Sequence, residues 1–219
     1  MKDLYIYCAG GVGQEVYSIA TRVNSLYSRW QGISFIDDTM GKPNVNGTPV
    51  YCYDQFLERC NGYSAEVVIA NGEPIFRKIL FDKVTHSGFA ISSIVDPEAY
   101  VSEAAQIGAG AIIYPHACIS PGAVLEEDVL VYYNCVIAHD SKIGAHTVMS
   151  IAAAVAGNSA IDEEVFLGMN SCVREHVSVE KGVILAMGGV LTANATANGI
   201  YEGVPAQRVR ENLTGKVFK

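Results

Sequence analysis

His139 and Asp140 stand side by side in Val136-Ile137-Ala138-His139-Asp140, and Gly157 follows 18 residues after the histidine in Ala156-Gly157-Asn158. An imidazole, with a reference pKa of ~6.5, can take a proton from an attacking amine or hydroxyl near neutral pH, and an adjoining carboxylate can orient it. A glycine offers a bare backbone N–H, suited to an oxygen on which negative charge builds. Base, orienting acid and oxyanion donor together suit transfer of an acyl group. In isolation a His-Asp pair is usually an exposed histidine beside an unrelated acid. The array in which this one sits reverses that reading.

From Val95 to Leu191 every sixth residue is apolar: Val95, Val101, Ile107, Ile113 and onward through seventeen positions. Four places after each stands a mostly small residue, as at Ala99, Ala105, Ala111 and Ala117. Helices repeat near 3.6 residues and ordinary strands at 2, so a period of six belongs to neither. It marks a hexapeptide solenoid, a triangular prism in which three six-residue faces make a coil of 18. The large residue fills the interior and the small one serves the tight corner. Residues 18 apart then stack one rung, ~4.8 Å, from each other. Gly157 is thereby expected one coil from His139.

The remaining histidines fit this frame without chemistry. His86 falls at the end of a helical pattern before the array, on the surface. His116, His146 and His176 come three places after an apolar position. Like His139 they belong near corners, pointing away from the packed interior, and division by 18 puts the three on different edges. No two histidines are five apart, the spacing that three-histidine metal sites on such prisms use, so no metal is expected.

Before the array, strand and helix patterns alternate. Leu4 to Cys8, Ile33 to Ile36, Glu66 to Ala70 and Ala90 to Ile94 read as strands. Val16 to Val23, Tyr53 to Cys60 and Pro74 to Thr85 read as helices. Such alternation implies a small parallel sheet. The turn Gly10-Gly11-Val12-Gly13 after the first strand, with Asp37-Asp38 ending the second, is either a plain tight βα turn or, as a partial G-x-G-x-x-G match, half of a dinucleotide-binding fold, where glycines let the backbone approach a phosphate. A complete dinucleotide site needs two such halves, and about 90 residues cannot supply them. A mononucleotide or nucleotide sugar fits better. The expected fold is a Rossmann-like α/β domain at 1–92, an all-β parallel β-helix at 93–197 and a tail at 198–219.

Bulk properties narrow the partners. A net charge of −8 over 219 residues argues against nucleic acid or anionic membrane. No uncharged run approaches the ~18 residues of a membrane span. The start, Met1-Lys2-Asp3-Leu4, lacks a signal-peptide pattern, and a cytoplasmic location is expected. Six cysteines without regular spacing are expected to be reduced thiols. Between Pro205 and Lys219 four bases (Arg208, Arg210, Lys216, Lys219) face one acid, Glu211. That stretch is either a solvated end or a contact for phosphate.

The glycine turn, Phe35-Ile36-Asp37-Asp38, the hexad array, the His139-Asp140 and Gly157 segments and Gly203-Val204-Pro205-Ala206 occur in an order that resembles one family. It is that of the bacterial sialic-acid O-acetyltransferases and nucleotide-aminosugar N-acetyltransferases. The resemblance implies an acetyl-CoA-dependent enzyme of glycan biosynthesis, a homotrimer of left-handed parallel β-helices with sites between subunits. By position it implies His139 as general base and Asp140 as its orienting acid, with the Gly157 amide at the thioester carbonyl. Gly168, Met169, Met187 and Gly188 would line the pantetheine arm and Arg208 would meet the CoA phosphates. Gly10, Gly11 and Gly13 would approach a nucleotide sugar, and Asp37 or Asp38 its base. Val12 and Val148 depart from histidines found in some members. A sialic-acid hydroxyl as acceptor, or a solenoid that binds without catalysis, are the competing readings.

Overall fold

In the computed structural model, which describes residues 2–60 and 65–218, the chain begins with β1 (Lys2–Tyr7), whose run Leu4 to Tyr7 is buried. A strand apolar on both sides belongs in the middle of a covered parallel sheet, and β1 is indeed flanked by β2 (Trp30–Ile36) and β5 (Ala65–Ile69), both parallel to it. The sheet continues through β4 (Thr48–Tyr51) to β3 (Asn44–Val45) on one side and to β6 (Ala90–Ile91) on the other. The hairpin β3–β4 is an addition to the sequence pattern. The expected strand from Ala90 to Ile94 splits, because Ile94 pairs with Ile112 and opens the prism instead.

Helix α1 (Gly11–Tyr27) buries Val16, Ile19, Ala20 and Val23, the i, i+3, i+4, i+7 stripe of an amphipathic helix. It ends where Ser28 turns left-handed at φ 50° and its N–H bonds the Asn24 carbonyl. Helices α2 (Tyr53–Cys60) and α3 (Pro74–His86) cover the opposite face around Tyr5, Tyr7, Phe56 and Phe89.

From β7 (Ile94–Val95) to β23 (Val190–Leu191) two-residue strands follow every six residues. They form three parallel sheets in an 18-residue register: Ile112 pairs with Leu130, Cys118 with Val136, Val124 with Lys142. This is a three-sided parallel β-helix. The second residue of each strand is an apolar position of the array, and from Ile113 to Leu191 these are 0–2% exposed. The corners need one correction. The residue that turns is not the small one but its predecessor, which adopts positive φ: 61° at His116, 57° at Asp140, 60° at His146, 59° at His176. Asn, Asp, His and Gly tolerate that conformation best, and the small residue after them faces inward.

Strands 94–95, 112–113, 130–131, 148–149, 166–167 and 184–185 make the first face. Its outward residues Ile94, Ile112, Leu130 and Val148 are fully buried, packed with α1 and β1 in one core. Each contributes about 1.5–3 kcal/mol by leaving water. After the array, β24 (Gly199–Gly203) and β25 (Ala206–Glu211) form an antiparallel hairpin that extends this face. The tail expected at 198–219 is thus ordered sheet at its start; Lys219 lies outside the described residues. Among the described residues no helix is long and apolar enough to cross a membrane.

Candidate active site

His139 and Asp140 occupy the corner between the second face (strands 100–101 to 190–191) and the third (strands 106–107 to 178–179). Asp140 is the left-handed corner residue, so its side chain swings back to its neighbour, and Oδ2 lies 2.9 Å from Nδ1 of His139. An ionised carboxylate only accepts, so it holds the proton on Nδ1 and leaves the Nε2 lone pair free. Both side chains are open, 62% and 63% exposed.

One coil on, the Asn158 N–H bonds the His139 carbonyl at 3.0 Å, locking the rungs in register. The imidazole lies on Gly157: a Cβ there would fall 2.8 Å from both Cε1 and Nε2 of His139. A second glycine, absent from the sequence reading, completes the arrangement. A Cβ on Gly122 would fall 2.4 Å from Asp140 Oδ1, so the carboxylate occupies space that a side chain would fill. Its signal was available, since Gly122 precedes Asp140 by one 18-residue coil.

The other candidate residues lie elsewhere on the same chain. Gly168, Met169, Met187 and Gly188 are at the corner between the first and second faces, across the second face from His139. Gly168, Met169 and Met187 line a cavity of about 750 Å³ with Phe166, Ile184 and Leu213. Gly188 and Arg208 are outside it; Arg208 instead donates to Thr196 Oγ1 at 3.4 Å and the Ala197 carbonyl at 3.5 Å. Gly11 borders a second cavity of about 530 Å³ with Glu15, Asn71, Tyr132 and Met169. At Gly10 and Gly11 a Cβ would meet nothing within 4 Å, whereas at Gly13 it would strike the Cys8 carbonyl oxygen at 2.0 Å. Gly13 therefore serves helix–strand packing, while Gly10 and Gly11 leave the backbone accessible.

Asp37 and Asp38 line a third depression of about 510 Å³. Much of their capacity is already used. Asp37 accepts from the amides of Ala9, Thr39 and Met40 and from the Thr39 hydroxyl. Asp38 accepts from Tyr7 Oη, the Tyr53 amide and Lys83 Nζ. Burial pushes each carboxyl's pKa up, but these hydrogen bonds outweigh it and hold both below the ordinary carboxylate range.

His146 departs from expectation. It sits at a corner, yet it is 3% exposed because α3 packs over that edge. Its Nδ1 lies 3.0 Å from Asp128 Oδ2, and its ring meets Phe81 edge-on at 5.4 Å. The other oxygen of Asp128 accepts from Arg77, which also donates to the carbonyls of Asp128, Ile69 and Asn71. Arg77 and Asp128 are fully buried. With Arg22 on Asp96, and Lys78 on Glu163 and Glu164, this network fastens the first domain to the prism. The edge cysteine Cys135 is buried as expected, and burial pushes its thiol up to about 12.

An α/β domain fastened along one face of a hexapeptide prism defines a two-domain hexapeptide-repeat protein. Residues 3–84 match the PglD N-terminal domain and residues 95–203 the GMPPB C-terminal domain. No curated protein matches the sequence. Among solved structures, the acetyltransferase domain of PglB from Neisseria gonorrhoeae FA1090 is 27% identical, with TM-score 0.88, over 95% of this chain and 100% of that one. Its complex with acetyl coenzyme A matches at 27% identity and TM-score 0.87, over 95% and 99%. PerB from Caulobacter crescentus, in complex with CoA and GDP-perosamine, shares the fold at 23% identity and TM-score 0.87, over 96% and 98%. The two family models together cover most of the chain, and over nearly its whole length the chain is similar to a hexapeptide-repeat sugar acetyltransferase domain.

Proposed function

We propose that the protein is an acetyl-CoA-dependent N-acetyltransferase acting on the amino group of a nucleotide-activated amino-deoxysugar in bacterial glycan biosynthesis. The observation that carries this reading is the His139 imidazole, held by Asp140 and laid on the Gly157 backbone. The sugar amine attacks the thioester carbonyl and its proton passes to His139 Nε2. Asp140 steadies the imidazolium, and the Gly157 N–H faces the tetrahedral oxyanion. The C–S bond then breaks, and the CoA sulfur leaves with the proton from His139. Acetyl coenzyme A is the ligand of the PglB domain, the relative nearest in identity quoted above.

The domains divide the work in this reading. Residues 1–92, Rossmann-like, hold the nucleotide sugar through Gly10 and Gly11 near the 530 Å³ cavity, and Asp37 or Asp38 approach the base. Residues 93–197, a left-handed β-helix, carry the donor, with Gly168, Met169, Met187 and Gly188 along the pantetheine and Arg208 at its phosphates. His139 and those residues lie at opposite borders of the second face, whose outward row includes Tyr100, Cys118, Val136, Ala154 and Cys172, with Tyr100 61% and Val136 41% exposed. A homotrimer that turns these faces inward brings the His139 edge of one subunit to the donor and acceptor cavities of the next. In this reading the enzyme works in the cytoplasm.

Thiol release from acetyl-CoA, measured with a panel of nucleotide amino sugars and with free sialic acid, tests the reading. Release with an amino sugar alone supports it. Release with sialic acid alone moves the acceptor to a hydroxyl, and none with any acceptor leaves a binding protein.

A further inference from the structure

The proposed chemistry makes no use of residues 212–218, which run from the end of β25 back to the first domain. They leave the hairpin at Asn212, whose N–H bonds the Asn198 carbonyl at 2.7 Å. They end on Glu73, the residue before α3. Its two carboxylate oxygens accept the Val217 N–H at 2.8 Å and the Phe218 N–H at 2.6 Å. Glu73 is 8% exposed, and hydrogen bonds to a carboxylate shielded from water are of the stronger kind. Lys216 adds a second hold, its Nζ 5.3 Å above the Phe76 ring. From this anchorage the Phe218 ring stands edge-on to Phe166, centroids 5.6 Å apart.

Phe218 borders both large cavities, the 530 Å³ space beside Gly11 and the 750 Å³ space beside Met187. Phe166 and Met169 border both as well, but they are fixed within the prism. The strap adds Leu213, Thr214, Lys216 and Val217 to the wall of the larger cavity, beside residues of the prism and of the β24–β25 hairpin. Its hold on the first domain includes two hydrogen bonds to one side chain. We infer that residues 212–218 form a strap that completes the partition between acceptor and donor sites, and that Glu73 is the positioning residue that latches it. The inference rests on the reading of these cavities as acceptor and donor sites.

Glu73→Gln is nearly isosteric, but its amide group presents N–H donors to one of the two strap amides. A chain ending at Lys216 removes the latched residues and leaves both domains whole. For wild type and each variant, CoA binding is measured by calorimetry, and kcat and both KM values by thiol release. Loss of a charge-assisted bond should weaken CoA binding and raise both KM values about tenfold, with kcat falling less than threefold. A merely structural role would lower melting temperature without that split. Wild-type-like constants for both ligands in both variants overturn the strap. Failure of the wild type itself to bind CoA or turn over rejects the functional reading, and the strap's role with it.

Discussion

The imidazole of His139 rests on the backbone of Gly157 so closely that a methyl group on that glycine would lie 2.8 Å from two of its ring atoms. One coil in the other direction, the Asp140 carboxylate lies over Gly122 in the same manner. Two glycines therefore make room for two side chains that stand at a corner and bond each other.

His139→Ala is expected to keep the fold and CoA binding and to lose turnover by ~10²–10⁴, the usual contribution of a general base. Asp140→Asn, which still tolerates the left-handed corner, should lose up to ~10²-fold, since it misorients the base without removing it. Single-turnover rates beside CoA titrations check both. Near-normal kcat in His139→Ala would reject the assignment.

Gly157→Ala displaces the imidazole without demanding an unusual backbone. We expect kcat to fall ~10- to 100-fold with little change in melting temperature. Gly122→Ala should act likewise through Asp140, with added instability because Gly122 has φ 73°. If Gly157→Ala retains full activity, the base does not work from its observed position.

The glycine turn separates stability from binding. Gly13→Ala drives a Cβ toward the Cys8 carbonyl and should cost ~1–3 kcal/mol or more. Gly11→Ala meets nothing in the protein, so stability should stay within ~0.5 kcal/mol. Its methyl would project where the nucleotide sugar is proposed to lie, raising acceptor KM roughly tenfold or more. Denaturant melts and acceptor titrations on the two variants should show this crossed pattern.

Asp128→Asn leaves Arg77 as a buried charge without its carboxylate and weakens the bond to His146. Breaking a buried pair from one side costs about 3–5 kcal/mol. Chemical denaturation should show a loss of that order, and a change below ~1 kcal/mol would mean that the first domain is held by other contacts.

Asp37 and Asp38 predict acid lability of the first domain. Their carboxyls lie below the usual range in the folded protein, so they bind protons more readily when unfolded. Their stabilisation is complete above the unfolded value of ~3.9 and is lost as pH falls through the lower folded values. Melting temperature should drop below about pH 4, and Asp37→Asn should flatten that slope. An unchanged slope would show that other carboxylates dominate.

Strict repetition made much of this legible. Each apolar position of the array became the inward residue of a strand because the prism interior admits one large side chain from each six-residue face. The stacking of His139 on Gly157 followed from the same period. The hairpin at Asn44 to Tyr51 was not legible, since two- and four-residue strands carry little pattern. The burial of His146 was not legible either, because a corner looks outward until something packs on it, and the packing helix lies about 60 residues earlier in sequence.

By itself the sequence determined what repeats: the coil of 18, the inward row and the pairing of His139 with its glycine. These depend only on neighbours along the chain or one rung away. The tertiary structure alone decided what joins distant segments: Arg77 on Asp128, Glu73 on the last two described residues, and the separation of His139 from the cavities across one face. Such contacts depend on how the first domain docks, and no local periodicity encodes that.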